Sequence, residues 1–252
     1  MHTKPDLRVF LKWMVTRSGS VITDVIPLRA LPVGTHSEIE SVRQRLVQLA
    51  DNRPYRYKNT TAADRDAYEA SKRTFVGFSE SEISDCESKL HVRFPAIYRA
   101  FLNTMGRKHG DLFCGSNFAT LEQLTEHREF AEKLMSENDA TWELESNAVV
   151  FMEHQGYTFC FFDSSNGQDA PVYQYVEGDP SPTKRTDGFL QFVIAEIELM
   201  EHNNVQMHET GGYFVTIEDG YVSQSYPALA SGIRPIELPD EIIDGNGSTR
   251  KP

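Results

Sequence analysis

From Phe75 onward the apolar positions recur at helical spacing, and from Ala148 they change to strand-like runs. Ser79 and Glu82 make a capping-box pattern ahead of Ile83, Cys86 and Leu90, which predicts a helix. Phe94-Pro95 ends it, because the residue before a proline is pushed out of the α region. Pro95 can open the next helix, with Ile97, Tyr98, Phe101 and Leu102 on its buried side and Gly106 just past its end. Leu121, Leu124, Ala131, Leu134 and Met135 form the apolar stripe of a third helix over about 121–135. Its other side carries Glu122, Glu126 and Glu129. Ala148–Met152 and Tyr157–Phe162 then read as a hairpin turning at Gln155-Gly156, with Val172–Val176 as a third strand beyond the polar loop 164–170. Phe189–Met200 is apolar nearly all round, predicting a buried helix packed on the sheet.

The flanks carry weaker patterns. Pro5 can open a short helix over 5–17, and Val21–Ile26 is β-rich. Ser37 with Glu40 predicts a capping box before the amphipathic set Ile39, Val42, Leu46 and Leu49, and a second helix is expected over 62–71. Tyr213–Ile217 and Tyr221–Ser225 flank Asp219-Gly220 as a second hairpin, and 244–252 reads as a loose tail. Helices, then meandering strands, then a closing helix predict an α+β fold: a mostly antiparallel sheet flanked by helices, not a doubly wound one. Three regions are expected: a basic, mainly helical extension over 1–75, a domain over 76–203, and a hairpin with tail over 204–252. Whether the two flanks are separate units or parts of one larger sheet stays open at this point.

Composition narrows the setting. At 252 residues and 39% hydrophobic content the chain can bury a real core. It has no run of eighteen apolar residues, which excludes a long apolar membrane helix. Val9-Phe10-Leu11, broken by Lys12, is too short for a secretion-signal core, and Cys86, Cys114 and Cys160 form no C-x-x-C pair. A reducing cytoplasm is the expected location, so the glycosylation-like matches at Asn59 and Asn246 are read as chance. The net charge of −12 is unevenly placed: residues 1–78 balance to +5 and residues 79–252 to −17. So acidic a body repels nucleic acid and attracts a basic protein, although plain solubility would also account for it.

Catalytic patterns are thin. Cys160 should share a strand face with Thr158 and Phe162, opposite Phe159 and Phe161, and Cys86 lies on an apolar helix stripe; both read as structural. His91, His109, His127 and His154 occur singly, without H-x-x-x-H or H-E-x-x-H spacing. Asp163, Ser165 and Asp169 vaguely resemble a calcium loop, but Gly167 is one place early and no bidentate Glu follows. Gly211-Gly212 precedes a strand, so it is no phosphate cradle, and no G-x-S-x-G elbow occurs. No cofactor or metal is expected, and the chain reads as no enzyme. A small Cys/His-dependent hydrolase is the alternative from another class.

The run Ile83, Glu87, Leu90, Pro95, Tyr98, Phe101, Leu102 and Gly106 resembles the helix–proline–helix signature of SUKH domains. Val149-Val150-Phe151, Gly156, Phe161-Phe162-Asp163, Pro171-Val172-Tyr173, Phe189 and Phe192 continue the similarity over about 76–203. The chain departs at His91, where the family usually has glycine, and at Met105, where asparagine-like residues are usual. The resemblance implies an α+β fold and a binding role. Bacterial members are immunity proteins that cap a toxin domain, often a nuclease, through an acidic surface; fungal members are cell-wall-assembly regulators. A stoichiometric inhibitor of a basic toxin domain is therefore expected, with a regulatory scaffold as the alternative.

The expected partner-binding set is Glu122, Glu126, Glu129, Asp163, Asp169, Glu177 and Asp179, with Tyr173 as an aromatic anchor. Taken singly, each of these acids is more often just a solvated side chain. In the basic segment, Arg43, Arg45, Arg53, Arg56 and Lys58 with Tyr55 and Tyr57 could touch nucleic acid. Such a mix is more often the polar face of a helix and its loop.

Overall fold

The computed structural model describes residues 35–138, 140–165, 167–209, 212–218 and 221–225, all within the unit spanning 33–252. The expected helix over 5–17, the strand over 21–26, the Asp219-Gly220 turn and the tail over 244–252 lie outside the described residues. In chain order the elements are α1 (Thr35–Asp51), β1 (Tyr55–Tyr57), α2 (Ala62–Lys72), β2 (Phe75–Val76), α3 (Glu80–Leu90) and α4 (Ala96–Met105). Then come β3 (Lys108–His109), β4 (Asn117–Phe118), α5 (Leu124–Glu137), β5 (Ala148–His154), β6 (Thr158–Asp163) and β7 (Val172–Val176). β8 (Thr183–Thr186), α6 (Phe189–Glu209), β9 (Tyr213–Glu218) and β10 (Tyr221–Ser225) complete the set. The fold is α+β, built on an antiparallel five-stranded sheet in the order β4-β5-β6-β7-β8.

The β5–β6 hairpin turns where the residue types demand it. Gln155 and Gly156 both adopt positive φ, 50° and 76°, as the two central residues of a type I′ turn must. Five successive residues of β5, 148–152, and five of β6, 158–162, are buried, so these strands are covered on both faces. On one face Val149, Phe151, Cys160 and Phe162 pack with Tyr98 and Phe101 of α4 and with Phe189, Phe192 and Ile197 of α6. On the other, Val150, Phe159, Phe161 and Tyr175 lie under Ala131, Leu134 and Met135 of α5. The alternation read from the sequence around Cys160 is the one observed. Tyr98 is the hub of the first core, edge-on to Phe94, Phe162 and Phe189 with ring centroids 4.9–5.2 Å apart.

Local chemistry sets the α3–α4 corner. The Ser79–Glu82 capping box forms: the Glu82 amide donates to the Ser79 hydroxyl, and the Ser79 amide donates to the Glu82 carboxylate at 2.9 Å. Just before it the chain runs so close to α4 that a Cβ on Gly77 would sit 1.6 Å from the Asn103 carbonyl oxygen. Glu87 is buried in the corner, accepting the Phe94 amide at 2.7 Å and the Arg99 guanidinium, which also reaches Glu80. Removing Glu87 would leave a buried amide and a half-sheltered cation unmatched, a loss of about 3 kcal/mol. Pro95 offers no side-chain cap to α4, so the carbonyls of Gly167 and Gln168 accept the Ala96 and Ile97 amides, both at 3.1 Å.

Some boundaries differ from expectation. Ser37 and Glu40 lie inside α1, which starts at Thr35, and Glu40 pairs with Arg43. α5 starts at Leu124, with Leu121 buried in the preceding turn, and α6 continues past Met200 to Glu209. The two flanks meet in one small sheet: β1 pairs in parallel with β9, Tyr55 opposite Tyr213, and β10 pairs antiparallel with β9. α1 also puts Ile39, Val42 and Leu46 into the main core. Asp111 ties the N-terminal flank to the loop after β3, taking Lys72 at 2.7 Å and Arg53 at 3.2 Å.

His91 closes α3 in the left-handed region, at φ 53° and ψ 36°. That backbone favours glycine, because a Cβ there crowds the following carbonyl. His91→Gly is therefore expected to raise stability by about 1 kcal/mol, read as an upward shift of the urea midpoint at unchanged slope.

Candidate partner-binding surface

The predicted acids do not form one patch. Glu126 and Glu129 are exposed on one side of α5, as their spacing of three residues dictates, and Glu122 is exposed in the turn just before the helix. Tyr173, half-buried, stands on the sheet face that α5 covers, stacked on Phe161 at 5.6 Å and 24°. Glu177 and Asp179 lie in the β7–β8 turn, at the end of the sheet where Thr158 pairs with Val176. Asp163 and Asp169 lie toward the opposite end, where Phe162 pairs with Val172. The five residues of β7 separate the two groups by roughly 17 Å.

Asp163 and Asp169 also have local duties. Asp163 accepts the Asn147 side-chain amide at 2.6 Å and the Ser165 backbone amide at 2.7 Å, closing its own loop. Asp169 accepts the Phe189 amide at 2.7 Å, with Leu190 and Ala170 also donating, and so caps the start of α6. Burial nonetheless holds its carboxyl above the usual range, against the pull of those three amides. The loop that vaguely resembles a calcium site is thus occupied with capping α6, through Asp169, and α4, through Gly167 and Gln168.

α5 crosses the sheet from the β4 edge, where His127 meets the Asn117 carbonyl at 3.1 Å. The chain after it arrives beside the β7–β8 turn, where the Thr141 hydroxyl donates to the Pro180 carbonyl at 3.4 Å. Arg128 donates to the carbonyls of Leu144, Glu145 and Ala148, pinning that connection against the helix. Between the helix and the connection runs a groove of ≈ 590 Å³, with Met135, Ala140, Trp142 and Leu144 as its apolar lining and Glu132 and Glu143 beside them. The sequence pattern passed over Trp142, Glu132 and Glu143. A lone tryptophan in the acidic stretch 137–145 was the available signal.

Thiol chemistry finds little support in the geometry. Burial pushes the Cys86 thiol up to about 11 and the Cys160 thiol up to about 12, so both are protonated at neutral pH. Cys114 is exposed, and its thiol is raised too, by desolvation first and then by Asp111. Burial holds the imidazole of His109 down to about 4, which makes it a neutral packing group beside Phe113 and Phe118 at neutral pH. Among the described residues no group of three His, Cys, Asp or Glu is placed to hold a metal.

The helix–Pro–helix corner, the antiparallel sheet and the start of the closing helix fall within one stretch of the chain. Residues 77–195 match the SMI1 / KNR4 family (SUKH-1). The chain carries a SUKH domain. No curated protein matches it. SUKH domains are protein-binding modules of the immunity or regulatory kind and are generally non-catalytic. The matched SUKH segment starts at Gly77, whose missing side chain lets the chain run against α4, and ends inside α6. α1 falls outside the match, yet it completes the core of the SUKH domain. Among the described residues no helix is long and apolar enough to cross a membrane.

The two kinds of acid separate by their effect on folding. Asp169→Ala should cost about 1–2 kcal/mol of unfolding free energy through the lost cap, whereas Glu122→Gln, Glu126→Gln and Glu129→Gln should each stay within about 0.5 kcal/mol. Urea denaturation of the four variants makes the comparison.

Proposed function

We propose that the protein is a non-catalytic immunity module that neutralises a basic bacterial toxin domain, such as a nuclease, by stoichiometric binding. The observation that carries this reading is the charge of α5 and the connection that follows it. Residues 122–145 contain eight acidic and two basic residues, and Glu122, Glu126 and Glu129 all point outward. The SUKH domain supplies the binding role, and the sign of this surface supplies the partner's charge. Tyr173 and the turn acids Glu177 and Asp179 extend the contact surface, while Asp163 and Asp169 serve the fold first. Inhibition then works by occlusion: a rigid scaffold holds carboxylates where the toxin presents its substrate-binding cations. The place of action is the cytoplasm.

A basic toxin domain encoded directly upstream of the gene, where there is one, is the partner to use. Its affinity for the full chain should fall roughly tenfold or more between 50 and 300 mM salt, mostly through a slower on-rate. Glu122→Lys/Glu126→Lys/Glu129→Lys should slow association at low salt by a similar factor. Equal binding at both salt levels would overturn the electrostatic mechanism. A lack of any complex with that toxin domain would favour the regulatory scaffold role instead.

A further inference from the structure

The groove beside Trp142 is separate from the outward glutamate stripe, and its construction points to a particular guest. Its two walls are fixed in place by contacts within the protein. Arg128 fixes the 144–148 backbone against α5, and Thr141 anchors the connection to Pro180. The Trp142 ring packs on Phe161 at 5.2 Å and 33°, and Phe161 in turn stacks on Tyr173, so the indole is a supported plate and not a loose side chain. Trp142 is half-buried while lining an open groove of ≈ 590 Å³, room for a segment of chain and not only one methyl group. Met135, Ala140 and Leu144 offer apolar contact along it.

The charge around this plate has one sign. Glu143 is exposed and has no ion-pair partner among the described residues. Glu132, half-exposed, shares its charge with Arg128 at 2.8 Å. A phosphate or carboxylate would meet two carboxylates here, which disfavours a nucleic acid or an acidic peptide. A guanidinium fits each feature: its methylene stem suits the apolar lining, its plane stacks on an indole better than an ammonium does, and its fork matches carboxylates. Because the walls and the indole are already fixed, little ordering is needed when the guest arrives.

We infer that the groove between α5 and residues 140–144 takes an arginine side chain from a loop of a basic protein, laid on Trp142 between Glu132 and Glu143. This rests on the reading of the protein as a binder of a basic partner and assigns that partner an anchor residue. The anchor gives specificity that the glutamate stripe, acting at longer range, does not.

The test uses the full chain carrying Trp13→Phe, which leaves Trp142 as the lone tryptophan of the two in the sequence. The probe is acetyl-Gly-Arg-Gly-Arg-Gly-amide, with the citrulline version as a neutral isostere. The arginine peptide should change Trp142 fluorescence saturably, and the citrulline peptide should bind at least roughly tenfold more weakly. Glu143→Gln, an exposed change, should weaken arginine binding by roughly fivefold, and Trp142→Leu, followed by calorimetry, by roughly tenfold. Equal affinity for the two peptides, or arginine binding untouched by both Glu143→Gln and Trp142→Leu, would overturn the groove assignment. If binding then responds only to the Glu122, Glu126 and Glu129 variants, the acidic-surface reading survives while the anchor falls. No response to the arginine peptide at all also overturns the anchor, and the salt titration against the toxin domain judges the broader reading separately.

Discussion

Strands β5 and β6 each present five successive buried residues, so a sheet with one wet face is not open to this chain. Covers are required on both sides, and most other placements follow from that requirement. One cover is assembled from α4 and α6, with α1 joining from outside the matched SUKH segment. The α3–α4 corner exists to aim it: Glu87 holds Phe94 and Arg99, and the turn so fixed delivers Tyr98 and Phe101 onto the sheet. The second cover is α5, whose apolar side is spent on Val150, Phe159 and Tyr175. Its acidic residues are left facing outward. Covering the sheet therefore determines which surface remains for a partner, and gives that surface its charge.

This coupling explains why acids close in sequence play unlike roles. Glu126 belongs to a helix already anchored by Leu134 and Met135, so its carboxylate is available to solvent. Asp169 lies in the loop before β7, and the free amides at the start of α6, a helix reached only after β7 and β8, draw its carboxylate inward. Arg128, one of two cations among these glutamates, donates to three backbone carbonyls as well as pairing with Glu132. The long-range attraction of the face and the shape of the groove are thus products of the same helix, one from its outward side and one from its flank.

Much of the fold was legible because its signals are local. Ser79–Glu82 caps a helix, Phe94-Pro95 breaks one, and Gln155-Gly156 turns a hairpin through chemistry confined to a few neighbours. Ser37–Glu40 shows the limit of that logic, since the same pattern lies inside a helix that starts at Thr35. The pairing of β1 with β9 was not legible: two short strands 158 positions apart carry no signal of each other until the core brings them together. The same holds for the candidate site. Glu126 and Glu129 on α5 follow from helical periodicity, but Trp142 gains meaning only from Phe161, on which it packs, and from the hydrogen bond of its neighbour Thr141 to Pro180. Asp163 and Asp169 looked like surface charge because nothing local announces the amides they accept.

The central claim is that a basic toxin domain lands on the α5 side of the SUKH domain, and hydrogen–deuterium exchange of the full chain, free and in complex with that domain, tests it most directly. The account predicts slower exchange over 140–147, where the backbone of the connection is outside helix and sheet, with the amides of α1 and α6 unchanged. Protection confined to α6 or to β9 and β10, with 140–147 exchanging as in the free protein, would contradict it.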